Sequence, residues 1–320
     1  MGGASTRRAL PLSVPACAKL NLGLEVLGLR QDGYHELRTL FQTVDLADRI
    51  RLESAADGRC SLSCDDSRVP VDESNLALRA ALELKGFARE ARNVRIHIEK
   101  RIPVAGGLGG GSSDAAATLM GLDALWQLGL GVDGLLPLAR RLGADVPFFL
   151  FGGTALGIAR GDEIYPLAQQ LRFHAVVVDP GRPLSTAAVF RRADARLTPR
   201  ENSNTIFRFL SRSMDGGAGA VSVLHNDLER AALEEAPELA PRIAEIRVLL
   251  RREGALLTSL SGSGSSYFGV FDRAATAAAA ARAVEAGGFP VFRCRMLGAR
   301  EYRRVWARAL GTRRTAGRVG

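Results

Sequence analysis

At 320 residues, 47% of them hydrophobic, the chain is long enough for two domains of ordinary size, and its four cysteines, at 17, 60, 64 and 294, have neither the spacing of a zinc site nor the density of a disulfide scaffold, which places the protein in a reducing cytoplasm. The net charge of +9 suggests a polyanion partner, but residues 300–320 hold seven Arg and one Glu and so supply +6 of it, and no aromatic-studded basic stripe accompanies them, so no nucleic-acid partner is expected. Residues 1–13 lack the apolar core of a secretory signal, and the apolar run 146–159 is broken by Pro147, Gly152, Gly153 and Gly157, which excludes a membrane span.

Residues 14–29 read as one long, bent strand, with Leu20, Leu22, Leu24 and Val26 on one face and Lys19 and Asn21 on the other. The two polar side chains either mark the solvent face of an edge strand or belong to a site. Lys is scarce: of 43 basic residues only Lys19, Lys85 and Lys100 are Lys, and the rest are Arg. A Lys in such a chain is favoured for its compact charge and tunable pKa, which Arg cannot supply. Lys85 lies on an amphipathic helical stretch and reads as surface.

Gln31-Asp32-Gly33 is a turn, residues 37–44 and 49–52 are strands, and residues 74–89 form a helix with Ser74 as N-cap. Val94, Ile96 and Ile98 then alternate with Arg95 and His97, as in a strand. A helix over 115–128 and another over 132–142, ended at Gly143, follow. A domain boundary is expected near 155–170. Beyond it come a buried strand at 174–179, a short helix at 185–191 and loops at 199–203 and 214–220. A helix at 236–252, strands at 255–259 and 267–270, a helix at 274–286 and a strand at 291–296 complete the reading. Strands and helices mix without strict βαβ alternation, so the fold class is α+β.

Between the strand at 94–98 and the next helix runs Pro103-Val104-Ala105-Gly106-Gly107-Leu108-Gly109-Gly110-Gly111-Ser112-Ser113-Asp114, with five glycines in six positions. Strand, glycine loop and helix start together make an anion site, because glycine lets the backbone approach a phosphate and the first helical N–H groups point at it. A flexible turn, or close helix packing, is the competing explanation. No Gly-Lys-Ser/Thr follows, so this is not a Walker A loop. Asp145, in Gly143-Ala144-Asp145-Val146-Pro147, is either a cap or turn residue or a group whose charge is used. Beside a phosphate site, phosphoryl transfer needs such a group to accept a hydroxyl proton. Ser261-Gly262-Ser263-Gly264-Ser265-Ser266 is a second glycine-rich turn, equally readable as a hairpin connection.

Three segments resemble, in order, the three motifs of the GHMP kinase superfamily: residues 15–24, the glycine loop, and residues 259–268. Asp32-Gly33-Tyr34-His35-Glu36-Leu37, residues 143–149 and His225-Asn226-Asp227-Leu228-Glu229 resemble the branch whose acceptor is a cytidine diphosphate sugar alcohol. The resemblance covers roughly residues 12–298, and Ser263 stands where Thr is common. It implies a two-domain GHMP kinase fold, ribosomal protein S5 domain 2-like over 1–165 and ferredoxin-like over 166–300. Residues 301–320 fall outside it and are expected to form a poorly ordered, dispensable basic tail. It implies ATP-dependent phosphorylation of the 2-hydroxyl of 4-(cytidine 5'-diphospho)-2-C-methyl-D-erythritol, a step of non-mevalonate isoprenoid synthesis. ATP and Mg²⁺ are then required, with no dedicated metal ligands on the protein, and a monomer or weak homodimer is expected. By resemblance Asp145 is the catalytic base with Lys19 beside it. Asn21 orients the acceptor, and Pro103 to Ser113 cradle ATP, with Asn75 and Lys100 on the adenosine side. Tyr34 and Phe190 sandwich the cytosine, His35 reads its edge, and Gly262, Ser263 and Gly264 complete the acceptor site. Two rivals remain: a GHMP kinase for a mevalonate- or homoserine-type acceptor, which offers no base for Tyr34 to stack on, and a nucleotide-binding regulator without catalysis, against which Lys19 and Asp145 both stand.

Overall fold

The computed structural model describes residues 11–55, 58–168, 171–194, 204–213 and 218–311. β1 (Leu12–Leu29) and β2 (His35–Ala55) form a long antiparallel hairpin. β2 is one continuous strand where two were expected. Its early half pairs the strand Thr154–Ala159 and its late half the strand Asn93–Glu99, so Asp45 to Asp48 interrupt the apolar alternation without ending the strand. β3 (Ser61–Cys64), α1 (Leu76–Ala88), β4 (Asn93–Glu99), α2 (Gly110–Leu125), α3 (Gly131–Leu142), α4 (Val146–Phe151), β5 (Thr154–Ala159) and β6 (Glu163–Pro166) complete the first sheet and its helices. The strand order is β3-β4-β2-β5-β6, with β1 on β2.

β7 (His174–Val178) opens a second sheet. α5 (Thr186–Asp194), α6 (Thr205–Ser213), a 3₁₀ turn at Ala218–Val223, α7 (Leu228–Glu235) and α8 (Leu239–Arg252) precede β8 (Leu257–Leu260) and β9 (Tyr267–Phe271). α9 (Ala274–Ala286) and β10 (Val291–Arg295) close it in the order β10-β7-β9-β8, every pair antiparallel, which is a ferredoxin-like layout. The two sheets share a core. Ala18, Leu20, Leu22 and Leu40 of the β1–β2 hairpin pack with Val177, Phe268 and Val270 of the second sheet. β1 is therefore covered on both faces.

Several element limits shift for identifiable reasons. α1 starts one residue later than expected, because Asn75, not Ser74, caps it: the Asn75 side chain accepts from Ala77 N–H at 2.9 Å, while Ser74 Oγ donates to Asp72. α2 begins inside the glycine run, at Gly110 rather than 115. The helix expected at 236–252 is α8, which starts at Leu239, beyond Pro237, and α7 before it was not expected. The expected loop at 199–203 lies outside the described residues, as do 214–217 of the second one.

The basic tail is corrected. α10 (Ala299–Ala309) puts Tyr302 and Trp306, four apart on one face, into the core of the first domain. Tyr302 Oη donates to the Phe149 carbonyl at 2.6 Å. The Arg residues occupy the other face, so residues 299–309 form a docked, charge-rich helix and not a loose tail. Residues 312–320 lie outside the described residues. No described helix is long and apolar enough to cross a membrane.

Candidate active site

Register shifts in the β1–β2 pairing flank Lys19 and Asn21 on either side, between Cys17 and Lys19 and between Asn21 and Gly23. Such irregularities re-aim side chains. Lys19 is 3% exposed and Asn21 2%, so neither marks a solvent face. The Lys19 ammonium donates to Asn21 Oδ1 at 2.5 Å, Asn21 Nδ2 donates to Thr39 Oγ1 at 2.8 Å, and Thr39 Oγ1 donates to the Gly23 carbonyl at 2.9 Å. That relay leaves Lys19 one fixed direction. It points to Asp145 Oδ2, 3.4 Å away.

Asp145 precedes α4 but makes no side-chain capping bond, and its side chain is 35% exposed. Asp145 therefore caps nothing and faces a buried ammonium.

The glycine loop crosses β1, where Lys19 N–H donates to the Leu108 carbonyl at 3.0 Å. Gly107 (φ +74°) and Gly109 (φ +70°) are required by their surroundings: a Cβ on Gly107 would lie 2.1 Å from the Ser261 carbonyl, and one on Gly109 2.8 Å from Phe149 and 3.0 Å from the Lys19 stem. The first intrahelical bond of α2 runs from Ser113 N–H to the Gly109 carbonyl. The N–H groups of Gly110, Gly111 and Ser112 precede it and have no carbonyl within the helix to serve. They border a cavity of about 350 Å³ lined by residues 69–70, 74–76, Lys100, residues 103–112 and Asp114. Ser113 is not part of that cradle. It is buried and its hydroxyl donates to the Cys17 carbonyl at 2.7 Å, tying the helix to β1.

Asn75 and Lys100 reach the cavity wall with their polar atoms already engaged. Asn75 caps α1 and donates to the Pro70 carbonyl at 2.7 Å. The Lys100 ammonium is held by Asp48 and Asp114. Burial alone would lower its pKa, but the two carboxylates outweigh burial and raise it. Both residues shape the wall instead of offering free groups.

The Ser/Gly turn is both a hairpin, joining β8 to β9, and part of the site. Ser266 N–H donates to the Gly106 carbonyl at 3.1 Å and Ser261 Oγ to the Gly107 carbonyl at 3.0 Å, so the two glycine-rich loops hold each other. Gly262 (φ +57°) lies over Lys19 and Asn21: a Cβ there would stand 3.3 Å from both polar groups. Ser263 instead hydrogen-bonds Thr186 at 2.8 Å, at the start of α5, and Gly264 packs against Leu184 and Leu260. Of these three, Gly262 is the one beside the polar pair.

The base end differs from the expected sandwich. Phe190 stacks on His35, ring centroids 4.6 Å apart, and His35 Nε2 pairs with Asp194. Tyr34 is 56% exposed at the hairpin tip, with the Arg160 guanidinium 5.0 Å from its ring. Tyr34, His35 and Phe190 are thus neighbours, but His35 takes the place beside Phe190 that a base would need. A larger cavity, about 1480 Å³, lies around His225, Glu229, Arg247 and Arg251 and contains none of the catalytic candidates.

Four residues near the site escaped the sequence reading. Thr39 and Asp48 gave no local signal, since their partners are distant in sequence, and Asp114 stood at the end of the glycine run without a role. Asn226 lay in a noticed motif but received no role. It donates to the Leu260 carbonyl at 2.9 Å and the Gly262 carbonyl at 2.7 Å, fixing the turn over Lys19.

Residues 75–153 match the GHMP kinases N terminal domain and residues 218–289 the GHMP kinases C terminal domain. A 4-diphosphocytidyl-2-C-methyl-D-erythritol kinase of Solibacter usitatus is 40% identical over 301 residues, 92% of this chain and 92% of its own. One of Shouchella clausii is 42% identical over 261 residues, 82% of this chain and 86% of its own. A crystal structure of a 4-(cytidine 5'-diphospho)-2C-methyl-D-erythritol kinase superposes with a TM-score of 0.72 at 36% identity, covering 90% of this chain and all of that one. A homoserine kinase from Cytophaga hutchinsonii gives 0.69 at 18% identity over 93% of this chain and 97% of its own, a likeness of fold alone. The chain belongs to the 4-diphosphocytidyl-2-C-methyl-D-erythritol kinase family of the GHMP kinases.

Proposed function

We propose that the chain transfers the γ-phosphoryl group of ATP to the 2-hydroxyl of 4-diphosphocytidyl-2-C-methyl-D-erythritol, as the names of its relatives imply. The observation that carries this reading is the buried Lys19 ammonium, aimed by Asn21 at an uncapped Asp145 and roofed by the two glycine-rich loops. The cavity over Gly110 to Ser112 receives the phosphates on backbone N–H groups. The acceptor hydroxyl lies between Lys19 and Asp145. As its oxygen bonds to the γ-phosphorus and the bond to the β–γ bridging oxygen breaks, its proton passes to Asp145. Lys19 stabilises the negative charge that develops on that oxygen. The catalysis is positioning and electrostatics.

Among the described residues no three His, Cys, Asp or Glu side chains converge to hold a metal. Mg²⁺ enters with the phosphates in this reading and neutralises their charge. The cytosine end is recognised by Tyr34 and Phe190, with His35 leaving Phe190 to admit the base. A cytoplasmic protein, monomer or weak homodimer, with no nucleic-acid or membrane partner, belongs to the same reading, and gel filtration tests its size.

The test is ADP release from ATP with a panel of acceptors. Turnover on the cytidyl substrate, with mevalonate and homoserine inert, is expected. Turnover on either of those and none on the cytidyl substrate refutes the assignment, and no turnover on any acceptor with intact ATP binding points to the non-catalytic rival.

A further inference from the structure

Beneath the glycine loop lies a charge cluster that the phosphoryl-transfer scheme does not use. Lys100, at the end of β4, places its ammonium between Asp48 of β2 and Asp114 of α2, with Asp114 Oδ2 at 3.3 Å. The three side chains are 6%, 0% and 3% exposed. Two ionised carboxylates and one ammonium would leave an uncompensated buried negative charge, which is costly. The geometry identifies the acid that gives way. Asp48 uses both oxygens as acceptors: Oδ2 takes Lys100, and Oδ1 takes the N–H groups of Arg101 at 2.6 Å and Ile102 at 2.8 Å. Asp114 meets Lys100 through Oδ2 and leaves Oδ1 buried without a partner. Asp114 is the acid that holds the proton. Burial, reinforced by Asp48, pushes its pKa up to about 8 against the pull of Lys100.

The surrounding groups leave Asp114 as the titrating one. At the end of β3, Asp65 accepts the Lys100 N–H at 2.7 Å, and burial pushes the Cys64 thiol up. On β1, burial pushes the Cys17 thiol up to about 12. α1 packs apolar side chains, Ala77, Ala80, Ala81 and Leu84, into the shared core, and Asp145 at the head of α4 pairs with Lys19.

This cluster touches the phosphate cradle itself. A Cβ on Gly110 would lie 2.8 Å from the Lys100 ammonium, so the residue that opens the cradle rests on the cluster. We propose that Asp114 is a positioning residue for the nucleotide: protonated, it keeps the cluster neutral behind Gly110 to Ser112, and loss of its proton sets a net negative charge there that weakens phosphate binding. The inference rests on the reading of the glycine loop as the ATP phosphate site. By linkage, arriving phosphates favour the protonated acid, so nucleotide binding takes up a proton where Asp114 is partly ionised.

Calorimetric titration of the protein with ATP, in buffers of differing ionisation enthalpy from about pH 7.5 to about 9, reads both quantities. In the wild type Kd weakens roughly three- to eightfold across the range, with uptake approaching about half a proton near pH 8. In Asp114→Asn, neutral throughout, Kd is flat over the same range and the uptake vanishes. A wild-type Kd that is flat without proton uptake overturns the proposal, and so does an Asp114→Asn variant that keeps the wild-type slope. Should that variant not fold, wild-type proton uptake decides alone. Absence of ATP binding at every pH refutes the nucleotide reading of the loop and this inference with it, whereas binding without pH dependence refutes the inference only.

Discussion

Lys19 and Asn21 are almost wholly buried and are held by strand register, by the Thr39 relay and by the bare backbone of Gly109 and Gly262, whereas Tyr34 projects 56% exposed from the tip of the same hairpin. The phosphate end draws on four elements and both domains, so displacing one group disturbs several others. At the base end His35 is stacked on Phe190 and paired with Asp194. The difference follows from chemistry. Stabilising charge in phosphoryl transfer needs fixed dipoles, which must be built before the substrate arrives. Recognition of a flat base needs rings that can part and close, at the cost of some affinity.

If the phosphate end is over-determined in this way, Gly107→Ala should have the largest effect. The new methyl would meet the Ser261 carbonyl at 2.1 Å in a left-handed backbone conformation and force the two glycine-rich loops apart. Strain and overpacking together of about 3 kcal/mol or more predict a fall of roughly 10²-fold or more in kcat/KM for ATP. Steady-state kinetics with varied ATP check it, and near wild-type kinetics would show that the loops are not locked. Trp306→Ala sharpens the same contrast at a distance, because α10 supports the first-domain core beside α4, which follows Asp145. Chemical denaturation should show a loss of about 3–5 kcal/mol, and a shift below 1 kcal/mol would return residues 299–311 to the status of a loose tail.

The base end should answer differently. Tyr34→Ala removes a stacking face worth ~1–3 kcal/mol, so KM for the cytidyl substrate should rise about 5- to 150-fold while KM for ATP holds. An equal rise in both would mean that Tyr34 supports the fold. Phe190→Leu should be milder, about 2- to 12-fold in KM for the cytidyl substrate, because an aliphatic side chain keeps part of the apolar contact and only the ring-on-ring component is lost. If Phe190→Leu exceeds Tyr34→Ala in effect, Phe190 is the principal platform and the exposed tyrosine is secondary.

What the sequence disclosed depends on how local the signal was. The glycine run was legible because a strand, five glycines and a helix start stand next to each other. Scarce Lys singled out Lys19, which the structure places 3.4 Å from Asp145. The burial of Lys19 was not legible, since the groups that lie against it, Phe41, Gly109 and Gly262, come from three separate parts of the chain. Asp48 and Asp114 were hidden for the same reason: their shared partner, Lys100, is 52 and 14 positions away. The placement of His35 against Phe190 depends on α5, whose approach no local pattern encodes. In α10 the signal is local, Tyr302 and Trp306 four apart on one face, but the Arg content of the segment masks it.

The central claim is that Asp145 takes the acceptor proton under the guidance of Lys19. Single-turnover phosphoryl transfer by Asp145→Asn tests it most directly. The amide keeps the shape and caps nothing in the wild type, so the melting temperature and the Kd for ATP should stay close to those of the parent. The chemical step should slow by about 10²-fold or more, the usual scale for removing a general base. Transfer at the wild-type rate would contradict the account and reduce Asp145 to a turn residue that happens to lie beside Lys19.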